Sequence, residues 1–321
     1  MEAIGEYLSS LSLSGLLSRI PAGVSQGLIW ALMAIGVYIT FRILDIADLS
    51  VDGTFSTGGA VTAILIIAGV PPIVAVIIAF FCGLLAGIVT GLLHTRLGIP
   101  AILAGILTQY ALYSINLAIM GFKANTAISA DNYNLVVSGR NVTLAIFISL
   151  AFVVAIIAAL YWFFGTERGM SVRATGCNPQ MSKAQGININ LNKVIGLAIS
   201  NGLVALSGSL FAQYSGFADV NSGRGAIVIG LAAVIIGEVI GDALLGKRMN
   251  FAFRMVFIAI GGIIYYLIYT LVLWLKMDPN MMKLFTAVIV AICLAAPYLK
   301  KVRKNSFRRA GKNSAGGRKD A

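Results

Sequence analysis

Charge is scarce in this chain. Only 11% of its 321 residues are Asp, Glu, Lys or Arg, against about 25% in soluble globular domains. With 59% of the residues hydrophobic, that shortage excludes an ordinary water-soluble fold. Histidine is nearly absent as well: His94 is the only one, on a short turn with Arg96. A single interfacial imidazole of this kind reads as a solvated turn residue rather than a base or ligand. Three cysteines are too few for a disulfide framework. Cys82 and Cys293 sit within apolar runs and read as small packing residues, and Cys177 lies alone in a polar loop with no partner at metal spacing.

Catalytic patterns are missing too. No G-x-S-x-G and no H-E-x-x-H occurs, which disfavours a membrane enzyme. The stretch GDALLGKR, Gly241–Arg248, nearly matches a phosphate-binding loop. It fails because Arg248 stands where a hydroxyl would hold magnesium, and because it closes an apolar run rather than a strand. The chain is therefore expected to have no ATPase, catalytic residue, cofactor or metal of its own. The first 20 residues lack a charged start and a small-residue cleavage site, so no cleavable signal is read there.

What is abundant is apolar sequence. Nine runs stand out, at about 22–41, 53–70, 72–93, 98–121, 142–164, 194–216, 226–243, 251–275 and 281–298. In lipid the backbone must satisfy its own hydrogen bonds, so such runs become helices. The expected fold is all-α: a polytopic membrane helical bundle of about 8–10 transmembrane helices. The two shortest runs, 53–70 and 226–243, adjoin charged or glycine-rich stretches and are candidates for broken or re-entrant helices. Residues 1–21 read as an amphipathic segment with Leu8, Leu11, Leu16 and Ile20 on one face. Residues 22–298 form the membrane domain, and 299–321 a polar, basic tail expected to be disordered.

The net charge of +12 would suit nucleic acid, but its distribution does not. Nine Lys and Arg lie within 300–319. With that tail placed in the cytoplasm, 18 of the 24 basic residues fall inside, satisfying the positive-inside rule. This orientation puts 122–141 and 217–225 outside and the long loop 165–193 inside.

The acidic residues are gathered unexpectedly. Of 12 in the chain, Asp45, Asp48 and Asp52 share the stretch RILDIADLSVDGT, Arg42–Thr54. A carboxylate facing lipid near mid-membrane costs about 2.5–3.5 kcal/mol, so the three cannot all face lipid. On one continuous helix they would share a face. Asp52 reads as the cap of the helix that follows it, with Arg42 neutralising Asp45. Asp48 has two readings, a structural partner or a hydrated surface on a solute pathway. Gln109, Tyr113 and Asn116 fall on one helical face and make a second polar stripe, which either lines a pore or glues helices together. Asn201, with Ser207, Ser209 and Gln213, marks a helix buried among others. Gly83, Gly87 and Gly91 are spaced by four and predict a tight helix–helix seam.

In the long inside loop Asn178 suits an N-cap, Pro179 the first helical position and Gly186 the residue that ends a helix, predicting two turns over about 179–185. The pattern Gly169, Arg173-Ala174, Gly176, Asn178, Ala184 and Gly186-Ile187 resembles the cytoplasmic loop of bacterial ABC importer permeases of the branched-chain amino acid and ribose type. The resemblance extends through DLSVDGTFSTGGAV, LVALSGSLFAQYSG and IGLAAVIIGEVIGDALLG, covering most of 22–275. The LDIADLSVDGTF version resembles a subgroup associated with tryptophan or tyrosine uptake.

That resemblance implies a permease subunit that moves a small organic solute, an amino acid by subgroup, inward by alternating access. It implies a homodimer in the bacterial cytoplasmic membrane, multi-pass with the C-terminus inside. ATPase subunits holding ATP and magnesium would dock on Arg173, Ala174, Gly176, Asn178, Ala184, Gly186 and Ile187. A solute-binding protein would meet the outer loops, where Asp219 and Arg224 offer charge. Pathway candidates are Asp48, Gln109, Tyr113, Asn116 and Asn201. The rival is a self-contained secondary transporter or channel, with coupling on Asp48, Glu238 and Asp242.

Overall fold

A computed structural model describes residues 13–129, 133–246 and 250–274, together with the helical positions Leu284, Val288, Ala291 and Ala295. Among the described residues, ten α-helices and two short strands follow one another. They are α1 (Leu13–Tyr38), α2 (Val51–Ile67), α3 (Pro72–Thr95), α4 (Ala101–Ile119), β1 (Asn125–Ala127), α5 (Val142–Gly165), α6 (Glu167–Cys177), α7 (Pro179–Ala184), α8 (Ile189–Ser215), β2 (Phe217–Asp219), α9 (Ala226–Leu244) and α10 (Phe251–Trp274). Among the described residues seven helices are long and apolar enough to cross a membrane. The protein is a polytopic helical bundle, as the apolar runs predict. The ninth run, 281–298, and the basic tail lie outside the described residues save for those four helical positions.

Helix α8 is the centre of the bundle. It packs against α1, α2 and α3, and 78% of its membrane-length window is buried. Helix α5, an unbroken apolar run, is only 17% buried over the same length. Polar residues therefore sit in the middle and uninterrupted grease on the outside, as a bundle in hydrocarbon requires.

Small residues allow the close approach. A side chain at Gly87 would press on the Leu197 carbonyl and stand 2.7 Å from Ala198 Cα. A side chain at Gly83 would stand 3.0 Å from Gly202 Cα, and one at Gly91 would stand 2.9 Å from Val194 Cα. The glycine seam thus joins α3 to α8. Aromatic rings then pin α1, α2, α8 and α10 together: Trp30 lies 4.7 Å from Phe55, and 5.6 Å from both Phe211 and Tyr266.

The acidic stretch is not one helix. Helix α1 widens into a π-helical turn, Ile39–Ile43. Asp45 then takes a left-handed backbone, φ 55°. The chain runs irregularly through 44–50 before α2 begins. Asp45, Asp48 and Asp52 therefore do not share a helical face, and Arg42 pairs with Glu238 at 2.9 Å rather than with Asp45. Helix α2, at 17 residues, is shorter than the seven long helices, consistent with a broken segment. The N-terminal reading is also revised: from Leu13 the chain is already continuous with the first long helix, through Pro21.

Candidate functional site

Helix α2 starts beside the middle of α8, where its first turn needs polar partners. Asp48 is 3% exposed, and its Oδ1 accepts hydrogen bonds from the Ser50 amide at 2.9 Å and the Ser50 hydroxyl at 2.6 Å. Its Oδ2 accepts from Asn201 Nδ2 at 2.7 Å. Asn201 Oδ1 accepts from Thr54 Oγ1 at 2.7 Å and from Ser50 Oγ at 3.1 Å. Asp48 and Asn201 thus hold each other in a closed, buried network. Neither is among the residues lining the cavity described below, and this bonding favours the structural reading of both.

Asp52 does cap a helix, but not the one that follows it. Its Oδ2 accepts from the Gly225 amide at 2.9 Å and its Oδ1 from the Ile227 amide at 3.0 Å. Those are orphan N–H groups at the start of α9, 173 and 175 residues away. Gly223 lies against the Asp52 carbonyl so closely that a side chain there would overlap it. Two helix starts, α2 and α9, therefore meet at one carboxylate. Asp52→Ala should cost about 0.5–2 kcal/mol. The loss of amide-exchange protection should fall on 226–229; loosening confined to 51–56 would return Asp52 to its own helix.

Against these helix starts lies a cavity of about 600 Å³. Asp52, Gly53 and Ser56 form one wall, α4 forms another, and Val220 and Arg224 close the end. Gln109, Tyr113 and Asn116, the stripe read from the sequence, all face it, joined by Tyr110. Asn116 is fully buried, its Nδ2 donating to the Gly53 carbonyl at 3.3 Å while its Oδ1 has no hydrogen-bond partner among the described residues. Tyr110 is 73% exposed and Tyr113 41%, so the cavity opens onto the outer flank of α4.

The two loops read as lying outside are drawn together. β1 and β2 pair antiparallel, with Asn125 opposite Asp219. Asp219 Oδ1 accepts from the Asn221 amide at 2.6 Å and so holds its own turn, whereas Arg224 faces the cavity. At the other ends of the helices, Asn178 caps α7 by accepting from the Met181 amide at 3.0 Å. Gly186 follows α7 with φ +77°, the left-handed value the sequence required. Asn178, Ala184 and Gly186 are exposed, as is Met181 at 62%. Ala174, Gly176 and Ile187 are half-buried, Gly176 being wedged against the Ile43 carbonyl. Arg173 stands over the Phe251 ring, 5.1 Å from its centre.

Residues 20–294 match the family described as branched-chain amino acid transport system / permease component. The chain belongs to that family. The tyrosine transport system permease protein of Clostridioides difficile is 40% identical over 279 residues, covering 87% of this permease and 91% of that protein. The ribose import permease protein of Haemophilus influenzae is 27% identical over 221 residues, covering 68% and 67%. The permease is thus a multi-pass transport subunit; of the three groups on which a self-contained transporter would rest, Asp48 is bonded to Asn201 and Glu238 is paired with Arg42.

Proposed function

We propose that this permease is the membrane subunit of an ATP-driven importer for an amino acid, and that the cavity beside α2 and α4 belongs to the solute path. The carrying observation is the polar stripe Gln109–Tyr113–Asn116 facing a cavity that opens on the side of α4. A second copy of the chain, meeting the first across α4, would enclose that open flank. The cavity offers Asp52 and the unpartnered Asn116 oxygen to an ammonium group, Arg224 to a carboxylate, and Tyr110 and Tyr113 to an apolar or aromatic side chain. The tyrosine permease relative supports this class of solute.

Partner subunits holding ATP and magnesium would dock beneath α6 and α7 on the cytoplasmic side of a bacterial inner membrane. The exposed, capped α7 with Met181 at its surface suits insertion into a groove. The paired outer loops would receive a solute-binding protein, and the C-terminal tail would lie inside. The chain itself contributes no ATP hydrolysis.

Co-purification with an ATPase subunit, and ATPase activity stimulated by a tyrosine-loaded binding protein, test the reading. Absence of both would sink it. Gly186→Pro should abolish that stimulation, because proline fixes φ near −65° where the chain needs a positive value. Ala184→Glu should do the same by placing a charge on the docking face. Normal stimulation in both variants would remove α7 from the interface.

A further inference from the structure

A second cavity lies where several membrane helices end, and transport does not account for it. It measures about 300 Å³ and is lined by Tyr38, Arg42, Arg173, Cys177, Phe251 and Arg254, with Ile43. The volume is that of roughly ten waters, enough for one phosphate headgroup. Three guanidinium groups converge on it from α1's π-turn, α6 and α10. Among the described residues one carboxylate pairs with them: Glu238 Oε1 is 2.9 Å from Arg42 Nε and 3.9 Å from Arg254 Nη1. Arg173 is steadied by the Phe251 ring, with no carboxylate paired to it among the described residues. The lining therefore carries an excess of positive charge, in groups whose planar forks match phosphate oxygens.

Phe41, Phe253 and Val256, beside Arg42 and Arg254 in the chain, are 40%, 50% and 40% exposed. On helices that cross a membrane, such side chains face acyl tails. A basic pocket between the ends of helices that carry such residues suits a headgroup. We propose that this pocket binds a phosphate group, delivered as the headgroup of an anionic phospholipid. The lipid would tie the end of α1 to the starts of α10 and the loop helices α6–α7, so membrane composition would bear on how that loop is held.

Native mass spectrometry of the full-length permease tests this, with dioleoylphosphatidylglycerol, dioleoylphosphatidylcholine and inorganic phosphate as probes. Phosphatidylglycerol should be retained in preference to phosphatidylcholine. Arg173→Gln and Arg254→Gln should each weaken that retention about fivefold, while Arg173→Lys, which keeps the charge, should lose less. Equal retention of the two lipids, or retention unchanged in the Gln variants, overturns the proposal. Binding of inorganic phosphate without lipid preference would make the ligand a soluble phosphate and overturn the lipid source. Loss of a co-purifying ATPase in the Gln variants with phosphatidylglycerol retention intact would give the arginines to a partner's carboxylates instead. If a variant fails to fold, the comparison of lipids on the unaltered protein still decides.

Discussion

Gly87→Leu is expected to abolish recovery of folded permease from the membrane. Even the first added carbon would stand 2.7 Å from Leu197 C and Ala198 Cα, and against the Leu197 carbonyl. All of these are backbone atoms of a helix fixed on several sides, so neither partner can yield locally. Helices α3 and α8 would have to separate along their whole shared length, undoing Gly83 against Gly202 and Gly91 against Val194 as well. Overpacking by a methylene costs typically 1–3 kcal/mol, and here a whole side chain meets backbone. Gly87→Ala should give a lower yield and melting temperature, in the same direction. Gly165→Ala is the control, since nothing lies within 4 Å of a side chain there. Size-exclusion profiles and thermal melts of the solubilised variants measure the difference. A monodisperse Gly87→Leu protein with an unchanged melt would mean that α3 and α8 are not in contact.

That seam was legible in advance because four-residue glycine spacing is a local pattern with one packing meaning. The same holds for Asn178, Pro179 and Gly186: capping chemistry acts within a few residues, so the short helix could be placed almost to the residue. Gln109, Tyr113 and Asn116 were legible because a helix repeats every 3.6 residues. What could not be read were partners chosen by the fold. Asp52 sits before a glycine and a threonine at a helix start, so its local chemistry points to its own helix. Its actual partners, the amides of Gly225 and Ile227, come near only once α9 has been brought alongside α2. Arg42 lies three residues from Asp45, yet pairs with Glu238, 196 residues away. Periodicity also fails where a helix breaks. The π-turn at Ile39–Ile43 and the left-handed Asp45 destroy the shared face that the spacing of the three carboxylates suggested. Strands of three residues, such as β1 and β2, carry too little pattern to be seen at all.

Asn201→Ala should be strongly destabilising, and its effect should depend on Asp48. Asn201 is fully buried and supplies the Nδ2 that meets Asp48 Oδ2 at 2.7 Å. Without it that oxygen loses its only described donor, and Thr54 Oγ1 and Ser50 Oγ lose an acceptor. An unsatisfied buried polar group costs about 1–3 kcal/mol, more when it is charged. Asp48→Asn is gentler, since it keeps the shape and one acceptor. Its new N–H donors must still face Asn201 Nδ2 or the Ser50 amide, both donors already. Turning the Asn201 amide over would relieve one clash but give up its bond to the Leu197 carbonyl at 3.1 Å. Once Asn201 is gone, the charge on Asp48 is a liability rather than a partner, so Asp48→Asn should then cost little or even restore stability. A double-mutant cycle on melting free energies should therefore show coupling of about 0.5–3 kcal/mol. Additive effects would mean that the two residues do not act together. If Asp48→Asn instead left the melt untouched but stopped transport, Asp48 would return to the solute path, and the closed network around Asn201 would not be the resting state of the permease.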